Sequence, residues 1–180
     1  MDDKNNVKNK ALKLLDGAYD LETPEDNIVY YKNFSKDYDD VLQRLSRNRV
    51  PLVPHIILGL HFGKMLGEWR ALEMTMKYPL KLLVLVILMP LNETAMENVI
   101  PPSIKEIGAF FEYARKALPK TKIMLGCARP LGSMKKTVDR LAIDAGLNGI
   151  AYPAEGTLSY AKKQGLRPEI INACCGVNWN

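Results

Sequence analysis

The segment at residues 81–90 limits the fold of this chain more than any other, because it is apolar on both of its faces. Its sequence is KLLVLVILMP, an unbroken apolar run between a lysine and a proline. A strand with one solvated face alternates polar and apolar residues, whereas a strand in the middle of a parallel sheet is covered on both sides and does not. The run is also only about half as long as the roughly 20 residues that cross a bilayer. The sequence therefore predicts a central parallel strand.

Three more segments have the composition of buried strands, and helical patterns separate them. Strands are predicted at residues 53–62, 121–130 and 147–153, with a weaker candidate at 14–21. Such alternation is typical of a parallel sheet with right-handed crossovers. A closed eight-stranded barrel needs at least roughly 200 residues. We therefore expect an α/β fold of parallel βα units that forms about half of a TIM-type barrel, with four to five strands. Periodicity alone does not decide between this half-barrel and an open, doubly wound sheet.

Local signals mark where several helices begin and end. Ser103 followed by Glu106 is the pattern of a capping box, and apolar residues recur after it at helical spacing. Ser35 is predicted to begin an earlier helix, and Gly146 to end a later one. Three carboxylates in the second half of the chain are interpreted as solvated or capping groups without a chemical role: Asp139, Asp144 and Glu155.

The strand predicted at residues 53–62 runs into a glycine-rich turn, and its two faces differ. One face is wholly apolar, whereas the other mixes small, polar and apolar residues. A barrel strand has this pattern when helices cover its outer face and its inner face meets a site. Two histidines on the mixed face are most simply hydrogen-bonded barrel-lining side chains. Strict alternation assigns His55, Ile57, Gly59 and His61 to the mixed face and Ile56, Leu58, Leu60 and Phe62 to the apolar one.

Composition places the chain among globular proteins of one domain, residues 1–180. It has 47% hydrophobic residues and a net charge of +5, and its basic residues form no aromatic-interleaved stripe, so nucleic-acid binding is not expected. Residues 1–13 are a polar lead-in without the apolar core of a signal peptide, and 170–180 are an irregular tail. The 3 cysteines make no secreted disulfide framework. We expect a cytoplasmic protein that does not bind membranes.

Four motifs lie at the predicted strand ends and in the turns after them. They are PHIILGLHFG at 54–63 followed by Glu68, MPLNET at 89–94, LGCARP at 125–130, and AGLNGIAYP at 145–153. Together and in this order, they resemble the C-terminal half of radical SAM proteins of the biotin synthase and archaeal lipoyl synthase type. The resemblance covers roughly residues 15–176. In that family these segments belong to the later strands of a βα barrel.

The resemblance implies a binding site for the adenine of S-adenosylmethionine. The family's fifth strand and the turn after it contact one side of the ring, and the end of the sixth strand, here Met89, packs the other side. Glu93-Thr94 stands where biotin synthases have Gly-Thr. Arg129 matches an arginine that faces an auxiliary iron–sulfur cluster, although this chain has no cysteine at 53–55 for such a cluster. The first group of contacts corresponds to Ile57, Gly59, Gly63 and Glu68.

The cysteines separate this chain from complete radical SAM enzymes. Those enzymes hold a [4Fe–4S] cluster with a Cys-x3-Cys-x2-Cys loop, and Cys127, Cys174 and Cys175 do not have that spacing. On its own, the chain is therefore not expected to cleave S-adenosylmethionine. The candidates for catalysis are His61, Cys127 and Arg129. Cys174 and Cys175 are weak candidates for iron ligands or sulfur donors, and Cys127 is most simply a small core residue.

Three functions follow from this reading of the sequence. The first is a component of a split or truncated radical SAM system, whose partner chain carries the cluster-binding half-barrel. The second is a cluster-free binding or scaffold protein, in which the half-barrel refolds as an open sheet or pairs with a second copy. Both are favoured by the two edge strands of an incomplete barrel, which soluble proteins rarely leave uncovered. The third is an independent flavodoxin-like enzyme, for which the sequence has no phosphate-binding glycine fingerprint.

Overall fold

The computed structural model describes residues 24–173 and residue 175, and these hold 5 helices and 4 strands. None of the helices in this part of the chain is both long and apolar enough to cross a membrane. The weak strand candidate at 14–21, the lead-in at 1–13 and Cys174 lie outside the described residues. In chain order the elements are α1 (Pro24–Arg47), β1 (His55–Leu58), α2 (Glu68–Thr75), β2 (Leu82–Ile87), α3 (Ile104–Ala117), β3 (Lys122–Leu125), α4 (Ser133–Asp144), β4 (Gly149–Ile150) and α5 (Thr157–Lys163).

The chain forms two compact units, and the sheet belongs to the second. The first unit ends at Arg44 and includes most of α1, whereas the second begins at Leu45. Helix α1 starts at Pro24, earlier than the predicted start at Ser35. A proline is well tolerated in the first helical turn, since its missing N–H has no intrahelical partner there.

All four strands of the described sheet are parallel, and they lie in the order β1-β2-β3-β4. His55 is opposite Val84, Leu82 is opposite Lys122, and Met124 is opposite Gly149. Strand β2 lies between two neighbours, and every one of its residues is buried. The prediction of a central parallel strand in an α/β fold is confirmed.

The larger core lies on one face of this sheet, where α2, α3 and α4 pack. Trp69 of α2 contributes to it through an edge-to-face contact with Phe110 of α3, with 4.9 Å between the ring centroids. Because these helices share one face, and because the strand order never reverses, the described sheet lacks the switch point of a doubly wound fold. The fully buried members are Ile56, Leu58, Leu72, Leu83, Leu85, Ile87, Ile107, Phe110, Phe111, Ala114, Ile123, Leu125, Val138 and Ala142.

The opposite face of the sheet carries a thinner apolar layer. Its buried members are Leu82, Val84, Val86, Met124 and Ala151, and Cys175 packs against them. On β1 this face is open, since the burial of the strand alternates between exposed His55 and Ile57 and buried Ile56 and Leu58. The two different faces predicted for this strand are therefore confirmed as far as Leu58.

Beyond Leu58 the predicted alternation is wrong. Gly59 has a φ of +80°, so the chain leaves the plane of the sheet there. Leu60 and Phe62, which were assigned to the apolar face, are exposed. The last strand is also shorter than predicted, because Tyr152 has a φ of +47° and cannot continue an extended segment. In both places the backbone turns before the apolar pattern ends.

Two predicted helix signals are confirmed, the capping box at the start of α3 and the glycine after the end of α4. The Ser103 hydroxyl accepts the Glu106 N–H at 3.3 Å, and the Glu106 carboxylate accepts the Ser103 N–H at 2.9 Å. Helix α4 ends before Gly146, which has a φ of +77°. A left-handed residue after a helix is usually glycine, because a side chain there would crowd the backbone.

The capping box predicts a pH dependence of stability. The hydrogen bond between the side chains of Glu106 and Ser103 lowers the pKa of Glu106 below its ordinary value, and the bond from the Ser103 backbone N–H lowers it further. A lowered pKa in the folded state stabilises the fold above the unfolded-state pKa, and this contribution disappears as the pH falls through the folded-state value. We expect Glu106→Gln to destabilise the protein near neutral pH and to differ less from wild type in acid.

Urea unfolding at about pH 7 and at about pH 3 measures this difference, since the unfolded glutamate titrates at about 4.3. Glu112→Gln, an exposed position on the same helix, is the matched control. A deficit of the Glu106 variant that is equal at both pH values would contradict the assignment.

Candidate functional site

Because the strands are parallel, the loops that follow them meet at one edge of the sheet, called here the carboxyl edge. Ligands of parallel α/β proteins bind at this edge. Most residues that the sequence singled out lie in its loops or directly beside them, with Ile57 inside β1 and Cys175 on the thinner apolar layer as exceptions. The loops of the carboxyl edge are residues 59–67, 88–103, 126–132 and 151–156.

Glu68 holds the turn after β1 in place. Its side chain is buried, and one carboxylate oxygen, Oε1, accepts the N–H of Gly59 at 2.8 Å. The other, Oε2, accepts the N–H of Gly67 at 3.0 Å. The N–H of Gly63 donates to the Gly59 carbonyl at 2.8 Å, which closes the turn. A carboxylate in the first turn of a helix is also favoured by the helix dipole. Both oxygens of Glu68 therefore act within the fold.

The two glycines of this turn allow a close approach between two loops. Gly59 and Gly63 have φ values of +80° and +81°. A Cβ at Gly59 would lie 2.4 Å from Cδ of Pro102, and one at Gly63 would lie 2.0 Å from the Ile100 carbonyl oxygen. The space that the missing side chains leave is thus filled by the loop before α3. These glycines bring two loops together, and the space that their side chains would occupy is not open to a ligand.

Other predicted contact residues have accessible surface near the same strand ends. Ile57 is 38% exposed on β1, and Met89 is half-buried just after β2. His61 is half-buried in the turn, and its ring meets the edge of Phe62 with 5.7 Å between centroids. Leu88 donates its N–H to the Leu58 carbonyl at 2.9 Å, so the end of β2 is tied to the end of β1.

Arg129 is fully buried in the middle of the loop after β3. Its Nε donates to Oδ1 of Asp139 at 2.8 Å in a salt bridge whose two side chains are both inaccessible to solvent. Nη1 donates to the Gly126 carbonyl at 2.6 Å, and Nη2 donates to the Tyr152 carbonyl at 3.0 Å. None of these bonds reaches His61 or Cys127. The structure therefore does not assemble the three predicted catalytic candidates into one group through the guanidinium.

Asp139 completes this network from α4, and its interpretation as a solvated carboxylate was wrong. Its second oxygen, Oδ2, accepts the N–H of Ala154 at 2.7 Å and the hydroxyl of Thr157 at 3.0 Å. A signal for its burial was present in the sequence, because Asp139 lies three residues before Ala142 on the apolar face of the helix. A buried carboxylate needs such partners, since an unpaired charge in the interior is very costly.

Cys127 has a different environment from the one predicted. The sequence predicted a small core residue within a strand at 121–130. Strand β3 ends at Leu125, and Cys127 is an exposed free thiol. Before it, Gly126 packs so tightly that a Cβ would lie 2.5 Å from Cγ1 of Val86. Within the described part of the chain, no three His, Cys, Asp or Glu side chains are grouped to hold a metal ion.

The buried ion pair predicts a large effect of truncating one partner. Arg129→Met leaves the Asp139 carboxylate buried without its charge partner, and we expect a loss of about 3–5 kcal/mol in the free energy of unfolding, measured in urea. Lys136→Met is the matched control, because Lys136 and Glu155 form an ion pair at 3.8 Å with 54% and 94% of their side chains exposed. Exposed pairs contribute about 0–1 kcal/mol. Equal effects of the two variants would contradict the assignment.

Two glycine substitutions separate the energetic cost of steric crowding in the turn after β1 from the cost of backbone strain. Gly63→Ala and Gly165→Ala both put a side chain at positive φ, which costs roughly 1–2 kcal/mol. Gly165 has open space where its Cβ would be, whereas Gly63 meets a carbonyl. We expect the Gly63 variant to lose at least about 1 kcal/mol more, from overpacking. Equal losses in the free energy of unfolding for the two variants would show that the turn after β1 and the loop before α3 move apart easily.

Comparisons with protein-family models, with curated proteins and with solved structures found no match for this chain. The resemblance to radical SAM proteins therefore stays a prediction from the four motifs. Any function of the carboxyl edge rests on the residues of this chain and on their geometry.

Proposed function

We propose that this chain is one component of a split radical SAM system and supplies the adenine and substrate side of a barrel that another chain completes. The observation that carries the proposal is the strand order β1-β2-β3-β4, all parallel and without reversal. That is the order of consecutive strands in a βα barrel. A doubly wound sheet reverses its order, so the flavodoxin-like alternative lacks support from the described sheet.

The two faces of the sheet support the same proposal. Three helices share one face, as they do on the outside of a barrel. The opposite face would be the barrel interior. There the layer of small and medium apolar residues is thin, and on β1 it gives way to exposed His55 and Ile57. An interior that binds a ligand needs such a mixed, partly open surface.

The edges of the sheet favour a second chain. Among the described residues, β1 pairs with β2 alone and β4 pairs with β3 alone. Uncovered strand edges expose backbone groups that pair readily with another chain. A partner that carries the family's first strands would cover both edges and close the barrel. The chain itself has no Cys-x3-Cys-x2-Cys, so the partner would supply the [4Fe–4S] cluster that cleaves S-adenosylmethionine.

The residues predicted for the adenine site divide into those that hold the turn and those that would contact the ring. Gly59, Gly63 and Glu68 hold the turn through bonds to one another and to Gly67. The contacts to the ring would then come from side chains with free surface, for which Ile57 and Met89 are suited. By the same resemblance, the reaction would be sulfur insertion or a related radical step on an acyl or cofactor precursor.

A second copy of this chain is the other candidate for completing the barrel. The cysteine content favours this candidate, because a binding or scaffold protein needs no iron–sulfur cluster. The 3 cysteines of the chain lack the spacing of the cluster motif. In such a pair, β1 of each copy would meet β4 of the other to close an all-parallel barrel, an arrangement that two-fold symmetry allows.

An anaerobic affinity pull-down from the protein's own cell extract, followed by mass spectrometry, tests the proposal. Wild type is compared with Ile57→Glu, which places a charge on the open face of β1, and with Met76→Glu as the matched control. The two positions are 38% and 39% exposed, and Met76 lies at the end of α2. We expect a stoichiometric partner with Cys-x3-Cys-x2-Cys to be recovered by wild type and by the Met76 variant, and at least about tenfold less by the Ile57 variant, because a charge at an interface core is poorly tolerated.

Recovery of the chain alone, iron-free and with the mass of a dimer, would replace the partner by a second copy. A stable monomer that does not bind S-adenosylmethionine would reject both candidates.

A further inference from the structure

Backbone strain in the described residues is concentrated at the carboxyl edge. Four non-glycine residues in the described part of the chain have a positive φ, and three of them lie in loops that follow strands. These three are Phe62 at +48°, Glu93 at +63° and Tyr152 at +47°. The fourth, Arg49, lies before β1. A bulky residue in this region is a true outlier, and such strain is typical of ligand-binding sites. Tyr152 is further restricted because Pro153 follows it.

The strain at Tyr152 is not compensated by burial of its ring. The residue is 69% exposed, and Phe62 is 49% exposed. A tyrosine or phenylalanine ring contributes to folding through the large apolar surface that it buries. A ring that stays in water on a strained backbone contributes little to folding. The conformation of Tyr152 therefore needs another explanation.

The buried ion pair fixes the backbone at the Tyr152 carbonyl and directly after it. Arg129 donates to the Tyr152 carbonyl at 3.0 Å, and Asp139 accepts the N–H of Ala154 at 2.7 Å, two residues later. The same guanidinium is anchored to the Gly126 carbonyl at 2.6 Å. The backbone of residues 152–154 is thus fixed by two inaccessible charges, and the phenol ring stands outside them at the end of β4.

We propose that Tyr152 contacts a ligand, and that its ring is a stacking surface for a flat heteroaromatic group of the nucleobase class. An exposed aromatic face on a fixed backbone needs no backbone ordering when a planar ring stacks on it. Base–aromatic stacking contributes about 1–3 kcal/mol per base. The inference deepens the proposed function and rests on it, because it places the base at the same edge and adds a contact beyond the predicted adenine contacts Ile57, Gly59, Gly63, Glu68 and Met89.

Calorimetric titration with adenosine, and then with S-adenosylmethionine, tests the role of the ring. The protein is the full chain in the assembly in which it is recovered from extract. Tyr152→Phe keeps the ring and should bind within about twofold of wild type, whereas Tyr152→Gly should bind at least about tenfold more weakly, as expected for the loss of one stacked base. Glycine accepts a positive φ, so the thermal midpoint of Tyr152→Gly should be no lower than that of wild type.

Arg49→Gly is the matched control, because it relieves the same kind of strain away from the carboxyl edge and should leave binding unchanged. If wild type binds neither probe, the proposed adenine site and this inference fail together. If wild type binds and Tyr152→Gly binds equally well, the inference alone is overturned. Loss of the partner chain by Tyr152→Gly, with nucleoside binding intact, would instead make the ring a protein contact and would also overturn the inference.

Discussion

The buried ion pair between Arg129 and Asp139 is the interaction on which the carboxyl edge depends. Its 5 hydrogen bonds join the end of β3, helix α4, the segment after β4 and the first residue of α5. Two charges without solvent contact are tolerated only where every partner has a fixed position. The loops after β3 and β4 therefore cannot move independently of each other. The motifs LGCARP and AGLNGIAYP, which are distant in the sequence, form one structural unit through this pair.

The parts of the fold that sequence reasoning predicted correctly are those decided by local patterns. Strand β2 is apolar throughout because both of its faces are covered, and its own sequence is enough to indicate this. The capping box of α3 needs only Ser103 and Glu106, three residues apart. The alternation in β1 was correct up to Leu58 for the same reason. In each case the residues that determine the element lie within one short segment.

The errors occur where a contact from a distant segment decides the outcome. The turn at Gly59 depends on Glu68 and on the loop that carries Pro102, so the apolar alternation continued past the real end of the strand. Asp139 is buried because Arg129 and Thr157 reach it, and the interpretation as a solvated group ignored those partners. The strained backbone of Tyr152 leaves no pattern in the sequence, since tyrosine there is compatible with an ordinary strand.

These contacts also change which residues are the best candidates for function. The polar and glycine residues that the sequence singled out, such as Glu68 and Arg129, use their hydrogen bonds to hold loops in place. A group whose bonds are already made inside the fold has little left for a ligand, because breaking them exposes the desolvation cost of each buried partner. Side chains with free surface beside those loops, among them Ile57, Met89 and Tyr152, have no such cost. At this edge, the buried polar residues therefore hold the loops in place, and the side chains with free surface beside them remain available for a ligand.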